Sequence, residues 1–455
     1  MAIDRARDFL ARRRGPTAPA ADGESTRLVP ANRTVAIALI LGLALILRFG
    51  FILSQDGYVP AGDAADFDRH AVSLATEGHY PSSQVGRPDG PTAFRPPGYP
   101  HALAAVYAVT GTADRTSRFE IGRLFSALLG VVAVGLVGII AWQLWGSLVA
   151  LVAMALAAVY PPLVTIGSAM LSEPLMIALL LGALAAALQY RRSAMLRWVL
   201  VAGLLAGAVA LTRTNGALAV PIIAAGIWSR PVLSRASLVP VASFLAVTAL
   251  VMLPWTIRNA RAFDDLIPVS TQTGFTLAGT YNDVSRDDQV RPAAWRAPTM
   301  PPYAELLEQE SSLDEAELER RFRSRVMEYA WENPSYVLEV GYWNTLRLLG
   351  LEGPALEHQA APETGIGNQT SDIDVYAFYL LAVGSLAALL AGAARRIPGF
   401  VWALPVFLAL SLVFVIAYMR YRLPIDPFLI LLVAAGLVRV AARFGWGANA
   451  AGPAP

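Results

Sequence analysis

Long apolar stretches separated by short polar connections dominate the chain, in place of the brief alternations of a water-soluble fold. They cover Val35–Leu53, Phe119–Ala141, Ser147–Ile166, Ala169–Tyr190, Trp198–Leu211, Ala217–Trp228, Leu238–Trp255, Val375–Ala391, Pro398–Tyr418 and Leu423–Val440. Trp198–Leu211 and Ala217–Trp228 are short and read as a hairpin. A further run, Pro97–Gly111, would reach only about 22 Å at a rise of about 1.5 Å per residue, less than the thickness of a bilayer core. The pattern predicts an all-α polytopic membrane protein with about ten spans.

Polar positions then fix the expected sidedness. Arginine collects in the N-terminal tail, Arg191–Arg192–Arg197, Arg230–Arg235, Arg395–Arg396 and Arg439–Arg443, and short cytoplasmic loops are where arginine gathers. All five share a side only if Pro97–Gly111 does not cross, so that run is expected to lie at the outer interface or to be re-entrant. The outer face then receives Ser54–Arg118, the Pro161–Pro162 turn with Glu173 beyond it, Thr212–Gly216, Arg258–Asp374 and Met419–Arg422. The expected divisions are a disordered cytoplasmic tail (1–34), a transmembrane catalytic module (35–257) with its first outer loop at 54–118, an outer subdomain (258–374), C-terminal spans (375–443) and a cytoplasmic tail (444–455). Within the outer segment, Ser312–Leu313–Asp314–Glu315 reads as a capping box opening a helix that runs to about Glu332, before Asn333–Pro334 ends it.

Composition agrees with a bilayer as solvent: the 455 residues are 55% hydrophobic and 15% charged, with a mean hydropathy of +0.49. A net charge of +2 argues against nucleic acid. All 36 basic residues are arginine, and the absence of cysteine excludes disulfides and thiolate chemistry.

Charges break the apolar pattern at a few outer positions. The first outer loop carries Gly62-Asp63-Ala64-Ala65-Asp66-Phe67-Asp68-Arg69-His70 and, later, Phe94-Arg95-Pro96-Pro97-Gly98-Tyr99. Asp63 is expected to open a helix, either as its N-cap or as an acid at the positive end of the dipole. Asp66, at i+3, is its better partner; Asp66 and Asp68 cannot both share its face, so at least one is expected to be solvated. His70, at i+7, either faces the same cavity or is a hydrogen-bonded structural residue. Arg95, held before a proline pair, suits a lipid phosphate, the alternative being snorkelling to ordinary headgroups. Glu173 is costly at the end of an apolar helix unless it pairs or faces a cavity. Arg213, Arg258, Arg420 and Arg422 all sit on the side that disfavours arginine. Each alone could be a structural ion pair; together with the acids they suggest a site for an anionic, phosphorylated substrate at the membrane border. No P-loop, Gly-rich nucleotide motif or HExxH string is present.

In this order, Gly62-Asp63, Phe94-Arg95-Pro96-Pro97-Gly98-Tyr99-Pro100, Ser172-Glu173-Pro174, Thr212-Arg213, Pro254-Trp255-Thr256-Ile257-Arg258-Asn259 and Tyr421-Arg422-Leu423-Pro424-Ile425-Asp426-Pro427 resemble the GT-C-fold glycosyltransferases. The resemblance is to the family 39-like and aminoarabinose-transferase-like enzymes that use polyprenyl-phosphate sugars. It implies a GT-C helix bundle with interfacial helices in the first outer loop, a catalytic aspartate at Asp63 and a lipid-phosphate contact at Arg95. Glu173 would hold sugar or acceptor hydroxyls or orient Arg95, with Arg213, Arg258, Tyr99, Asp66, His70, Arg420 and Arg422 as further substrate-side candidates. Gly274-Phe275 and Tyr281-Asn282 would cover the acceptor side. The implied partners are a polyprenyl-phosphate-linked sugar, a lipid, glycan or protein acceptor, and membrane lipids, with no metal assumed and the site on the outer face of the cytoplasmic membrane. A lipid-linked oligosaccharide ligase or polymerase is the nearest alternative, and a secondary transporter a more distant one.

Overall fold

The computed structural model describes residues 31–444 apart from 56, 112–113, 230, 299–301, 354–357, 359–363 and 396. The expected disordered tail up to residue 30 and the tail beyond 444 lie outside the described residues. Contacts divide the chain into residues 1–39, described only at the start of the first helix, and residues 40–455, which hold the rest of that helix and all that follows it.

Among the described residues there is no strand. The helices are α1 (Ala31–Leu53), α2 (Asp63–Glu77), α3 (Gly98–Thr110), α4 (Arg115–Trp145), α5 (Ser147–Val159), α6 (Pro161–Val164), α7 (Glu173–Ser193), α8 (Leu196–Thr212), α9 (Ala219–Ile227) and α10 (Arg235–Phe263). They continue as α11 (Gln272–Thr280), α12 (Asp283–Arg286), α13 (Ala304–Glu308), α14 (Glu315–Glu332), α15 (Pro334–Leu348), α16 (Asn368–Leu390), α17 (Gly399–Val413), α18 (Met419–Arg422) and α19 (Asp426–Arg443).

Every apolar stretch read from the sequence contains a helix, but five helices among the described residues are long and apolar enough to cross a bilayer: α1, α4, α7, α10 and α16. A sixth would be the pair on either side of Tyr160, bent by 71°. The proline pair explains the break: Pro161 and Pro162 remove backbone donors, so α5 stops at Val159. Arg48, wholly buried in α1, takes up carbonyls left over at that break, donating to Ala157 and Ala158 at 3.4 and 3.2 Å. The apolar helices α8, α9 and α17 are shorter, so length and composition alone give five or six candidate spans and do not confirm the expected ten.

α17 ends at Val413, five residues before the apolar run does. Its last carbonyls are bound from outside: Asn344 Nδ2 donates to Val413 O at 3.1 Å, the Tyr281 hydroxyl to Phe414 O at 2.9 Å and Thr280 Oγ1 to Val415 O at 2.7 Å. Those donors satisfy groups that would otherwise require further helix.

The segment between α10 and α16 has its own apolar core of Ala278, Tyr281, Tyr303, Leu318, Phe322, Val326, Tyr329, Tyr336 and Val340. Its main helix begins at Glu315, where Asp314 rather than Ser312 is the N-cap and accepts the Glu317 N–H at 2.8 Å. Asn333 ends that helix as expected, but Pro334 then opens α15, where its fixed φ and missing donor are tolerated.

Candidate functional site

α2 and α3 carry the first outer loop's chemistry. Gly62, the N-cap of α2, has φ +52°, a left-handed geometry that favours glycine. Asp63 is therefore the first helical residue and not the cap. Its carboxylate is free to turn sideways, where Arg95 Nη2 lies 2.8 Å from Oδ1 and Arg420 contacts Oδ2. Arg95 spans two acids, because its Nε also meets Asp66 Oδ2 at 2.6 Å. The guanidinium lies 5.2 and 5.3 Å from the Phe67 and Phe94 rings, which limit its movement.

The arm bearing Arg95 is seated by a close approach. Gly98, at the start of α3, sits so near the end of α8 that an added Cβ would fall 2.5 Å from Thr212 Oγ1 and 2.9 Å from Thr212 Cα. That contact sets Arg95 beside Arg213, which leaves α8 in extended geometry (φ −147°, ψ 138°). Arg213 Nη1 meets buried Glu173 Oε1 at 2.7 Å and Ser172 Oγ at 3.0 Å. Both Arg213 and Arg420 stack over Tyr421, at 5.0 and 4.7 Å from its ring centre.

Two cavities meet at this cluster. One, of about 350 Å3, is walled by Phe67, Pro96, Leu218, Leu412, Val415 and Ile416, with Arg213 and Asn215 among its polar groups. The other, of about 470 Å3, is lined by Gln84, Phe94, Phe275, Trp295, Tyr418 and Arg420. Asp63, Arg95, Gln272, Thr276, Ile416 and Tyr421 line both. Leu218 also lines an apolar groove between α9 and α17 that runs to Arg191 and Phe400.

Electrostatics at the junction favour anions. Burial would raise the Asp63 carboxyl, but Arg95 and Arg420 outweigh it and hold it well below the usual carboxylate range. Asp66 is also held low: burial is overcome by His70 and Arg95. Among the described residues no three His, Asp or Glu side chains gather as a metal site would require.

The structure separates most of the remaining candidates from these two cavities; Asp66 is the exception and lines the larger one. His70 Nδ1 pairs with the backbone carbonyl of Asp66 at 2.7 Å and its buried ring packs on Tyr80 at 4.8 Å. Tyr99 is buried against Ser126 Oγ at 3.2 Å and meets Phe67 edge-on. Arg258 lies behind the Arg95 arm, donating to Thr92 O at 2.8 Å. Arg422 faces the core, with Nε 3.0 Å from Asp426 Oδ1 and Nη1 2.6 Å from Leu348 O. Glu173 is buried and partners Arg213 rather than Arg95. Asp66 is held by Arg95 and Arg69 at the edge of the larger cavity, whereas Asp68 is buried, because Arg118 grips both of its oxygens at 2.8 and 2.9 Å and Tyr107 adds a bond at 2.9 Å. Phe275 lines the larger cavity, whereas Tyr281 belongs to the outer core and Asn282 caps α12. Sequence reading missed Gln272, Thr276, Asn215 and Tyr421 as cavity residues; Tyr421, between two candidate arginines, carried the one usable signal.

Comparison with known proteins places this geometry in a wider setting. The model of the dolichyl-phosphate-mannose-protein mannosyltransferase family matches residues 114–264. No curated protein matches the chain. The archaeal oligosaccharyltransferase AglB of Archaeoglobus fulgidus, solved with an inhibitory peptide and a dolichol-phosphate, superposes with a TM-score of 0.56 at 14% identity, covering 93% of this chain and 52% of that one. A second structure of the A. fulgidus oligosaccharyltransferase, with Zn and sulfate, gives 0.53 at 13% identity over 90% and 49%. ArnT of Cupriavidus metallidurans, bound to undecaprenyl phosphate, gives 0.41 at 14% identity over 91% and 79%, and the fold assignment does not rest on it. The chain spans about half the length of the archaeal enzyme it matches. On the first two superpositions, this integral membrane protein has the GT-C fold of the polytopic glycosyltransferases.

Proposed function

We propose that the protein transfers a sugar from a polyprenyl-phosphate donor to a lipid, glycan or protein acceptor on the outer face of the cytoplasmic membrane. The observation that carries this reading is the meeting of Asp63 and Arg95 at the junction of two cavities, with Arg213 and Arg420 beside them. The apolar cavity, which shares Leu218 with the groove between α9 and α17, suits a lipid-linked donor. The larger cavity, under Phe275 and Trp295, suits the acceptor.

In the reaction the acceptor oxygen bonds to the anomeric carbon as the bond from that carbon to the phosphate oxygen breaks. Asp63 takes the acceptor's hydroxyl proton, and the lipid phosphate leaves with an added negative charge. Attack from the face opposite the phosphate inverts the anomeric centre. Arg95, Arg420 and Arg213 stabilise the departing charge. The same arginines explain how a carboxylate with such low proton affinity acts as a base. A donor phosphate competes with Asp63 for Arg95 and Arg420, and each ion pair it takes over raises the affinity of Asp63 for a proton. Donor binding thereby arms the base.

The test is transfer of labelled sugar from a synthetic polyprenyl-phosphate donor by the purified full chain in liposomes, with Asp63→Asn in parallel. Transfer lost in that variant supports the reading; equal transfer by both removes Asp63 from the chemistry. Flux across the bilayer without transfer would move the protein to the transporter class.

A further inference from the structure

Glu315 heads α14 and is 3% exposed, yet it does not serve the capping role its sequence position suggests. Asp314 caps the helix instead. The Glu315 carboxylate crosses to the first outer loop and the start of α11, where it collects three donors. Oε1 accepts the Ala93 N–H at 2.7 Å and the Thr271 hydroxyl at 2.5 Å, while Oε2 accepts the Ser83 hydroxyl.

Each donor sits next to residues lining the larger cavity. Ser83 precedes Gln84 and Val85, Ala93 lies between Thr92 and Phe94, and Thr271 precedes Gln272. Two further bonds close the arrangement: Thr271 N–H donates to Ala93 O at 3.1 Å, and Arg87 N–H to Leu313 O at 2.7 Å. The peptide joining Thr92 to Ala93 is held at both ends by opposite charges, its carbonyl by Arg258 at 2.8 Å and its N–H by Glu315 at 2.7 Å. Arg95 follows two residues later. Bonds to charged partners are about twice as strong as neutral ones, and a buried peptide left without them costs its full desolvation.

We infer that Glu315 is a positioning residue that ties three of the segments lining the acceptor-side cavity to α14, and so sets the shape of that cavity without touching substrate. The anchoring stands on its own geometry; only the assignment of the anchored cavity to the acceptor rests on the function proposed above.

The experiment uses the full-length protein in liposomes, comparing wild type, Glu315→Ala, Glu315→Gln and the milder Ser83→Ala/Thr271→Val double variant. Amide hydrogen exchange reads the anchoring directly. Protection at 83–93 and 271–276 is expected to fall about tenfold or more in Glu315→Ala and less in Glu315→Gln, which keeps the shape and one acceptor. Steady-state kinetics read the consequence: KM for the acceptor rises on the order of 10- to 100-fold, with a clearly smaller rise in KM for the donor, which Arg95 two residues on transmits. If Glu315→Ala fails to insert, the double variant is expected to show the same pattern at smaller size. Unchanged exchange in these segments, or equal rises in both KM values, would overturn the inference. Lost protection in a protein that transfers no sugar even as wild type supports the anchoring and rejects the transferase reading, so the two failures are distinguishable.

Discussion

Arg420 and Arg422 stand two residues apart in one short helix and do opposite work. Positions so spaced lie about 200° apart around a helix, so they face opposite ways. Arg422 turns inward: Asp426, the Leu348 carbonyl and the Phe378 ring, 3.2 Å from its guanidinium carbon, surround it. The Tyr160 hydroxyl completes Asp426 at 3.0 Å, leaving a local pair that lines neither of the two cavities. Arg420 turns to the larger cavity and meets Asp63, which also answers to Arg95. Asp63 thus lies between two cations, one of which, Arg95, it shares with Asp66. Direction and surroundings, not the mere presence of arginine, separate the structural residue from the site residue.

The sharpest way to break this comparison is through the shared acid. Asp63→Asn is expected to cut transfer by about a hundred- to ten-thousand-fold while the protein still folds and inserts, measured as initial rate against gel-filtration profile. The arginines should then divide. Arg420→Gln is expected to lower kcat/KM by about a hundred- to a thousandfold with little change in thermal unfolding. Arg422→Gln is expected to do the reverse, destabilising by about 3–5 kcal/mol because Asp426 is left buried and unpaired. Identical behaviour of the two variants would erase the distinction.

A pH profile sharpens it further. With both cations present Asp63 stays ionised below the usual carboxylate range, so kcat/KM should show no acid limb from this group above roughly pH 4. Removing Arg420 takes away one source of that depression. The limb in Arg420→Gln is therefore expected to move to higher pH, and an unmoved limb would show that Arg420 does not govern the base. The smallest expected effect is at Gly98→Ala, where overpacking against Thr212 should cost about 1–3 kcal/mol and shift Arg95 enough to raise the donor KM. Unchanged stability and donor KM would show that the arm is not seated by this contact.

Much of the fold was legible because its signals are local. Apolar runs gave the helices, the Pro161–Pro162 pair marked the break after α5, and Asn333 marked the end of α14. The strings around Asp63 and Arg95 pointed to two residues that the structure brings within 2.8 Å of each other. What stayed hidden depends on partners remote in the chain. Glu315 looks like a capping residue, and nothing near it announces a bond to Ala93, 222 positions away. Arg48 sits unmarked in an apolar run, while the carbonyls it serves belong to α5. Arg258 and Arg422 are grouped with the site by charge, sidedness and the family strings they stand in. Their packing directions are set by helices elsewhere, which a linear pattern does not encode.

The unwound stretch after Val413 forms part of the wall of both cavities while being suspended by three side chains from the outer helices. A wall hung in this way tilts with whatever holds it. The helices between α10 and α16 are therefore no detachable lid: excising them would release the carbonyls at 413–415 and collapse the smaller cavity along with the larger.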